Sequence, residues 1–288
     1  MMTAAIPPRT LPAAAKRSPD ARQAAANVGR SVALLSLLCL LSLLCLLPLS
    51  AQAASQADDP LHSVMWDVMQ RNVLHGAPAV FDDRVKVSLP RQVEDGQRVP
   101  VSVDATALGQ VQELLLFADY NPLPLALRMT PLRLQPVFSV AMRVNQATPV
   151  RAAARTADGV WHVGGQLVDA PGGGCALPTA TRNSTDWGTL LGRLYGRVWQ
   201  ADGQQRIRLR IMHPMDTGLV GNIARFHLDT LRLSDASGQP LAEFELQAPL
   251  AENPLFTLQL AQPAPGPLQV SASDSDGNFY HGRLQEQP

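Results

Sequence analysis

The hydrophobic pattern from residue 85 onward has a period of two, which is typical of β-strands. Short runs of alternating apolar and polar residues are separated by Asp-Gly, Asn-Pro and Pro-rich turns that reverse the chain. These runs lie on both sides of a small, polar stretch at residues 176–193. They predict strands near residues 85–89, 99–103, 113–118, 138–144, 150–155, 160–168, 206–211, 231–233, 241–246, 256–260 and 268–272. Antiparallel β-sandwiches are therefore expected.

Residues 60–74 have a different period, which indicates one amphipathic helix. The apolar side chains that define it recur at helical spacing, at Leu61, Val64, Met65, Val68 and Met69. Asp59 is a suitable N-cap, and Pro60 suits the first position of a helix. The Met and Trp side chains of this segment are expected to pack in a core rather than to bind a cofactor.

Residues 31–49 are apolar and carry no charge, and they predict a secretory signal peptide. The preceding segment is basic, and Ala51 and Ala53 provide the small-x-small pattern at which signal peptidase cleaves. An uncleaved membrane anchor is the alternative, because nineteen apolar residues are just long enough to span a bilayer. Pro48 and the position of the alanines favour cleavage between Ala53 and Ala54. The protein is therefore expected in the periplasm, without a membrane attachment after cleavage.

Four segments follow from these patterns. Residues 1–53 form the signal peptide with a long basic region, and residues 54–170 form the helix and a first β-sandwich. Residues 171–193 form a Gly-rich linker that contains a cysteine, and residues 194–288 form a second β-sandwich. The predicted fold class is mainly β, with two immunoglobulin-like antiparallel β-sandwich domains and an N-terminal amphipathic helix.

The charge balance argues against a protein that binds nucleic acid. Lys and Arg number 24, Asp and Glu also number 24, and the formal net charge is zero. Removal of the signal peptide takes away more basic than acidic residues and leaves a slightly acidic chain. Proteins that bind nucleic acid usually carry a basic excess, since they neutralise phosphates.

Cys175 is the candidate functional residue. Of three cysteines, Cys39 and Cys45 lie in the predicted signal peptide, so an exported chain retains one thiol that has no partner for an internal disulfide. The three residues before it are Gly172, Gly173 and Gly174. Glycines provide no side chains to cover a thiol and favour a mobile backbone. The sequence therefore predicts an exposed thiol on a flexible arm, and a buried, inert cysteine is the alternative.

Other chemistry has little support in the sequence. The six histidines lack metal-ligand spacing, and motifs for haem attachment, a nucleophile elbow or a phosphate loop are missing. No catalytic residues, cofactor or metal are predicted. One alternative stays open, because Cys175, Met215 and His213 are residue types that bind copper.

The two halves resemble the two subunits of the SoxYZ sulfur carrier of bacterial thiosulfate oxidation. The second half resembles the Z subunit in three strings: His213-Pro214-Met215-Asp216-Thr217-Gly218-Leu219, Asn253-Pro254-Leu255-Phe256 and Asp274-Ser275-Asp276-Gly277. The first half resembles the Y subunit in its leading helix and in Val85-Lys86-Val87, Glu94-Asp95-Gly96, Val99-Pro100-Val101 and Gly173-Gly174-Cys175. Their union in one chain is similar to fused SoxYZ-like carriers associated with quinoprotein dehydrogenases.

The resemblance implies a carrier rather than an enzyme. Cys175 would hold sulfur intermediates as persulfide or thiosulfonate adducts, and partner enzymes of the sulfur-oxidising or quinoprotein dehydrogenase type would load and unload it. The chain departs from the family pattern after the cysteine, because Ala176, Leu177 and Pro178 follow and the chain continues. An arm that is tethered at both ends sweeps a smaller volume than a free tail. The alternative is a non-catalytic interaction module for a periplasmic quinoprotein dehydrogenase.

Overall fold

Fifteen strands form two sheets in the computed structural model, which describes residues 58–285. The first half of the chain contributes β1 (Ala79–Phe81), β2 (Lys86–Ser88), β3 (Val99–Asp104), β4 (Glu113–Ala118), β5 (Leu125–Thr130), β6 (Leu134–Met142), β7 (Thr148–Arg155) and β8 (Trp161–Val168). The second half contributes β9 (Leu194–Ala201), β10 (Gln204–Ile211), β11 (Leu228–Ser234), β12 (Pro240–Leu246), β13 (Leu255–Leu260), β14 (Leu268–Asp274) and β15 (Phe279–Leu284). The helices are α1 (Trp66–Asn72), α2 (Trp187–Leu190) and the 3-10 turns Thr106–Leu108 and Ala180–Asn183. The mainly β fold class is confirmed, with one immunoglobulin-like sandwich in each half.

Strands of both halves share both sheets. The nine-stranded sheet has the order β1-β8-β7-β4-β5-β12-β11-β14-β15, and the six-stranded sheet has the order β2-β3-β6-β13-β10-β9. All neighbouring strands are antiparallel except β1 and β8, which are parallel. The halves meet where β5 pairs with β12 and where β6 pairs with β13. The two sandwiches thus lie side by side, and each closes an edge of the other.

One apolar core runs through both halves between the two sheets. Along β6 the residues alternate strictly between buried and half-buried, as the period-two pattern requires. Phe138 of the first half and Phe256 of the second half are both buried in this core. Each large side chain buried in this way stabilises the fold by about 1.5–3 kcal/mol. The core is therefore common to the two sandwiches.

Helix α1 is shorter than the sequence predicts, because it begins at Trp66 and not at residue 60. His62 has a positive φ of 51°, which breaks the helical path. Asp59 accepts hydrogen bonds from the backbone N–H groups of Leu61 and Ser63 in a turn before the helix. Trp66 and Met69 then pack on the outer face of the nine-stranded sheet. The Met and Trp side chains of this segment are therefore core residues, as expected.

The pattern missed strands β1, β5, β9 and β15. The segment of β5 is interrupted by prolines on both sides, and β9 contains Gly196, so neither alternates cleanly. The predicted signal peptide lies outside the described residues. No helix among residues 58–285 is long and apolar enough to cross a membrane.

A buried arginine ties the segment before α1 to the nine-stranded sheet. Arg151 of β7 is buried, and its guanidinium donates to Asp119 at 3.0 Å and to Asp59 at 2.6 Å. The guanidinium also lies 4.9 Å from the ring centre of Trp66. Burial raises the pKa of Asp119, and the charge of Arg151 opposes that rise. The arginine therefore compensates two carboxylates that are withdrawn from water.

We expect Arg151→Met to destabilise the fold by about 3–5 kcal/mol, because it leaves two buried carboxylates without their cation. The measurement is the free energy of unfolding in urea at neutral pH. Arg283→Met is the matched control, because Arg283 is exposed on β15 and forms no ion pair among the described residues. A loss equal to that of the control would contradict the electrostatic account.

Candidate functional site

Cys175 lies beneath a surface segment that follows β8. We call residues 169–181 the cysteine segment. The Cys175 side chain is 0% exposed, whereas the neighbouring Ala176, Leu177 and Pro178 are exposed. The prediction of an exposed thiol is therefore wrong for this conformation. The side chain points inward while the backbone around it runs along the surface.

The glycines before Cys175 allow close packing, which explains why the sequence-based reasoning failed. A Cβ atom at Gly174 would lie 2.2 Å from the carbonyl oxygen of Val144 and 2.5 Å from that of Gly96. Gly173 has a φ of 90°, which side chains rarely tolerate, and its N–H donates to the carbonyl of Asn145 at 2.8 Å. The absence of side chains thus lets the backbone at Gly173 and Gly174 pack directly against the backbone of Gly96, Val144 and Asn145. Whether the arm of Gly172, Gly173 and Gly174 is flexible stays a prediction.

Arg143 is the charged group next to the cysteine segment. It follows β6 directly, and it is 1% exposed. Its Nη1 donates to the carbonyl of Leu177 at 3.2 Å and, at the long distance of 3.4 Å, to that of Gly174. Its Nε is buried and has no hydrogen-bond partner among the described residues. A buried guanidinium without a carboxylate within 4 Å is costly, and it makes the surroundings of the thiol electropositive.

Burial and Arg143 act on the thiol in opposite directions. Burial raises the pKa of the Cys175 thiol to about 11, and the positive charge of Arg143 offsets part of that rise. Burial likewise lowers the pKa of Arg143, which the charges of Cys175, Glu252 and Asp216 partly oppose. Desolvation is the larger effect on the thiol. Because the thiolate is the nucleophile, burial keeps Cys175 protonated and unreactive near neutral pH.

The second half of the chain holds the cysteine segment from the other side. The hydroxyl of Thr217 donates to the carbonyl oxygen of Cys175 at 2.7 Å. Next to it, Asp216 accepts from the hydroxyl of Thr179 at 3.3 Å and forms an ion pair with Arg182 at 2.5 Å. Asp216 is nearly fully buried, so this pair is well shielded from solvent. The Gly-rich linker of the prediction is therefore attached to both sandwiches.

A second set of bonds fixes the end of the cysteine segment. Glu252 accepts from both the N–H and the hydroxyl of Thr181, at 2.8 and 2.7 Å. The side-chain amide of Asn253 donates to the same hydroxyl at 2.8 Å. Asn253 has a positive φ of 49°, a conformation that asparagine adopts more readily than most residues. This turn therefore links the strand connection before β13 to the cysteine segment.

We call residues 213–219 the His213 loop. This loop contacts both the cysteine segment, through Thr217, and the turn at Asn253. His213 is buried, and its Nδ1 accepts a hydrogen bond from the N–H of Met215 at 3.1 Å. Its Nε2 faces Asp274 at 3.7 Å, which is too long for a hydrogen bond. Its backbone N–H donates to the side-chain oxygen of Asn253 at 3.0 Å. The three strings on which the Z-subunit resemblance rests therefore meet in one place.

The copper alternative gains no support from this geometry. The Nδ1 of His213 is occupied by the N–H of Met215, and the Met215 sulfur accepts from the N–H of Leu228 at 3.4 Å. Within residues 58–285, no group of three or more His, Cys, Asp or Glu side chains is gathered for a metal ion. Both atoms thus stabilise the His213 loop itself.

Sequence reasoning identified Cys175 and the His213 loop, but it missed Arg143 and Glu252. Arg143 was visible as a charged residue at the end of an apolar run, and that is the signal that could have revealed it. Arg182 is close to the cysteine in sequence, but its ion pair is with Asp216. Asp169, the nearest carboxylate in sequence, is exposed and does not contribute to the shift in the pKa of the thiol.

We expect Thr217→Val to increase the rate of alkylation of Cys175 in the folded protein. The variant keeps the shape of the side chain but removes the hydrogen bond to the Cys175 carbonyl, together with the bond that the hydroxyl accepts from the N–H of Leu219 at 3.2 Å. A loss of about 1 kcal/mol corresponds to about fivefold more frequent opening of the cysteine segment. The measurement is the rate of iodoacetamide labelling, followed by intact mass. Thr217→Ser is the control, because it keeps the hydroxyl, and equal rates in all three proteins would contradict the prediction.

The burial of His213 predicts a loss of stability in acid. Burial lowers the pKa of His213 to about 4, from an ordinary value of 6.5. Between pH 6.5 and about 4, the unfolded chain binds a proton at His213 that the folded chain does not bind. The stability that comes from this residue is therefore fully present above pH 6.5 and declines as the pH falls towards 4. The total loss from this residue is about 3 kcal/mol.

The test compares urea unfolding of the wild type and His213→Asn as the pH is lowered. Asparagine places an acceptor near the position of Nδ1 but does not titrate. We expect the variant to lose less stability than the wild type over this range. Carboxylates titrate equally in both proteins, so parallel pH profiles would contradict the assignment to His213.

Two family models match consecutive parts of this chain. The model described as "Sulfur oxidation protein SoxY" matches residues 70–175, and the model described as "Sulphur oxidation protein SoxZ" matches residues 197–285. The first match ends at Cys175, and the second includes the His213 loop. No curated protein matches the chain.

The solved structures that are similar to part of the chain include two of different kinds. One is the sulfur carrier protein SoxY from Chlorobium limicola f thiosulfatophilum, with 19% identity, a TM-score of 0.34, and coverage of 37% of this chain and 96% of the other. The other is a superoxide reductase (neelaredoxin) from Ignicoccus hospitalis, with 13% identity, a TM-score of 0.27, and coverage of 36% and 91%. Scores this low support no conclusion about this chain.

Proposed function

Because the chain belongs to the SoxYZ proteins, with a SoxY domain and a SoxZ domain in one polypeptide, we propose that it is a periplasmic covalent carrier. Cys175 binds sulfur intermediates as persulfide or thiosulfonate adducts, and partner enzymes load and unload them. The two domains support a carrier role in sulfur oxidation, and the adducts and the compartment are part of the proposal.

The observation that carries the proposal is the position of Cys175 between the two domains. It is the one free cysteine in the described part of the chain, and it ends the SoxY match. Its carbonyl accepts a hydrogen bond from Thr217 of the SoxZ domain, and Arg143 of the SoxY domain binds the carbonyls on either side of it. A residue held by both domains is well placed to respond to a partner that binds either of them.

The carrier requires an open state in which the thiol reaches the partner. The cysteine segment contains no strand of either sheet. It is held mainly by hydrogen bonds within turns and by hydrogen bonds of side chains, so it can be displaced without breaking either sheet. Gly172 and the residues from Ala176 to Pro178 are already at the surface. The closed state would protect a thiol or a persulfide from solvent and oxidants, because both react as anions and burial disfavours the anion. Opening restores the ordinary reactivity of the thiol.

The partner enzymes supply the chemistry in this proposal, and the chain itself is not a catalyst. A carrier does not need a strongly lowered thiol pKa, since the partner can activate the attacking group. Once the predicted signal peptide with Cys39 and Cys45 is removed, Cys175 is the one remaining cysteine, and the chain cannot release its own adduct as an internal disulfide. Transfer therefore takes place between proteins.

A second candidate function is favoured by the burial of Cys175. The chain would be a non-catalytic interaction module for a periplasmic quinoprotein dehydrogenase, and the cysteine would be an inert core residue. The two candidates differ in one respect. Cys175→Ser abolishes the first role and leaves the second intact.

The test is the mass of the protein isolated from its native periplasm without reductant, with Cys175 mapped by peptide. We expect a mass increase on Cys175 that a reductant removes and that matches added sulfur or a sulfur oxyanion. Purified protein is then treated with tetrathionate. The Cys175 thiolate displaces thiosulfate, and the chain gains one S–SO₃⁻ group on sulfur. Cys175→Ser is the control and gains nothing.

Slow loading of the wild type and faster loading of Thr217→Val would support a carrier that works by opening. If the native thiol is unmodified and tetrathionate fails to load both proteins while they are folded, the carrier proposal falls. The interaction module then takes its place.

A further inference from the structure

The outer face of β9 and β10 carries an unusual cluster of arginines. Inward-facing Val198, Ile207 and Leu209 belong to the core, so the alternate residues of both strands face outward. Four of these outward residues are arginines, and we call them the arginine face: Arg197, Arg206, Arg208 and Arg210. Arg197, Arg208 and Arg210 are exposed, so a partner can approach this face.

Three of the four arginines of this face have no carboxylate partner among the described residues. Arg197 and Arg208 are directly opposite each other in the register of β9 and β10, an arrangement of like charges that destabilises a sheet. Asp202 pairs with Arg206 at 2.9 Å, but this carboxylate is itself mostly in solvent. Among residues 58–285, no carboxylate lies within 4 Å of Arg197, Arg208 or Arg210. The neighbouring strand β13 presents Leu255, Thr257 and Gln259 to them, none of which is acidic.

Aromatic and apolar side chains accompany these charges. Tyr195 is 49% exposed, and the guanidinium of Arg197 lies 4.8 Å from the ring centre of Trp199. Tyr195, Met212 and Leu255 line a surface depression of about 540 Å³ together with Arg208 and Arg210. Tyr, Trp, Met and Arg are the residue types that protein–protein interfaces favour, and hot spots are rich in Tyr, Trp and Arg.

The arginine face adjoins the cysteine segment. Met212 lines the depression beside the arginines and also a second cavity, whose other walls include His213 and Asn253. Thr181, at the end of the cysteine segment, lines that second cavity and is bonded to Asn253. A protein that covers the arginine face would therefore lie close to the contacts that hold Cys175 closed.

We propose that the arginine face is the docking surface for an acidic patch on a partner protein. The inference rests on the proposed function in one respect, since it assigns to the carrier the surface on which its partner enzymes dock. The unpaired arginines require carboxylates, and the accompanying Tyr195, Trp199 and Met212 favour a protein surface over a phosphate polymer or a lipid headgroup. Docking by charge also suits a carrier, because electrostatic attraction speeds association while the complex can still dissociate.

The test uses a fluorescein-labelled poly-glutamate peptide as the acidic probe and measures its binding by anisotropy. We expect the wild type to bind the peptide and the charge-reversed variant R197E/R208E/R210E to bind it at least about tenfold more weakly. Added salt should weaken the binding to the wild type, as for an exposed electrostatic contact. Arg283→Glu is the matched control and should bind as the wild type does.

A neutral variant, R197Q/R208Q/R210Q, keeps the test valid if the reversed variant does not fold. Removal of the opposed charges of Arg197 and Arg208 should leave it at least as stable as the wild type in urea, while its peptide binding is weakened. Equal peptide affinity in the wild type and the neutral variant would overturn the proposal. Tighter binding of a thymidine 20-mer or of phosphatidylglycerol vesicles than of the peptide would also overturn it, in favour of nucleic acid or membrane.

Loading of Cys175 with tetrathionate, measured in the same variants, separates this inference from the carrier proposal. If Cys175 loads but the peptide binds all variants equally, the docking inference alone falls. If Cys175 does not load but peptide binding depends on the arginines, the carrier proposal alone falls.

Discussion

The pairing of β5 with β12 and of β6 with β13 is the constraint on which the rest of this structure depends. Edge strands leave backbone N–H and C=O groups unpaired, and each sandwich satisfies such groups of the other. The two sheets and one apolar core thereby become continuous across the halves. This joint also decides where the His213 loop lies. In the paired arrangement Thr217 of the second half reaches the carbonyl of Cys175, and the two halves are not the separate domains that their lengths suggest.

Desolvation and the charge of Arg143 shift the pKa of the Cys175 thiol in opposite directions, and desolvation has the larger effect in this buried position. Burial raises the pKa of the Cys175 thiol, and the charge of the buried Arg143 offsets only part of that rise. The described hydrogen bonds to the cysteine segment reach its backbone or the side chains of Thr179 and Thr181 rather than the sulfur, so they determine where the segment lies without tuning the thiol directly. In the proposed function, reactivity is controlled by opening, and a partner that weakens these few bonds activates the thiol. That proposal links the chemistry at Cys175 to the surface next to it.

Two features of the molecule cost stability where the proposed function needs them. Arg143 is buried without an ion pair to a carboxylate among the described residues, and Arg197 and Arg208 lie opposite each other on the neighbouring strands β9 and β10. By contrast, Arg151 is buried with two carboxylates and an aromatic ring, which is how the same residue type is used for stability alone. Arg143 is held by carbonyls of the cysteine segment, whereas the exposed arginines of the adjacent sheet face are those for which we propose a partner outside the chain.

Local pattern was enough to predict the mainly β fold, most strands, the single cysteine of interest and the resemblance of the His213 loop, because periodicity and short motifs are properties of neighbouring residues. Pattern could not predict that Cys175 is buried, that α1 begins late, or that Arg143 lies beside the thiol. The glycines indicated freedom of the backbone, but the same lack of side chains lets Gly174 pack against Gly96 and Val144. The burial of Cys175 and the position of Arg143 beside it depend on contacts between residues that are distant in sequence. Those residues meet only because strands pair across the two halves.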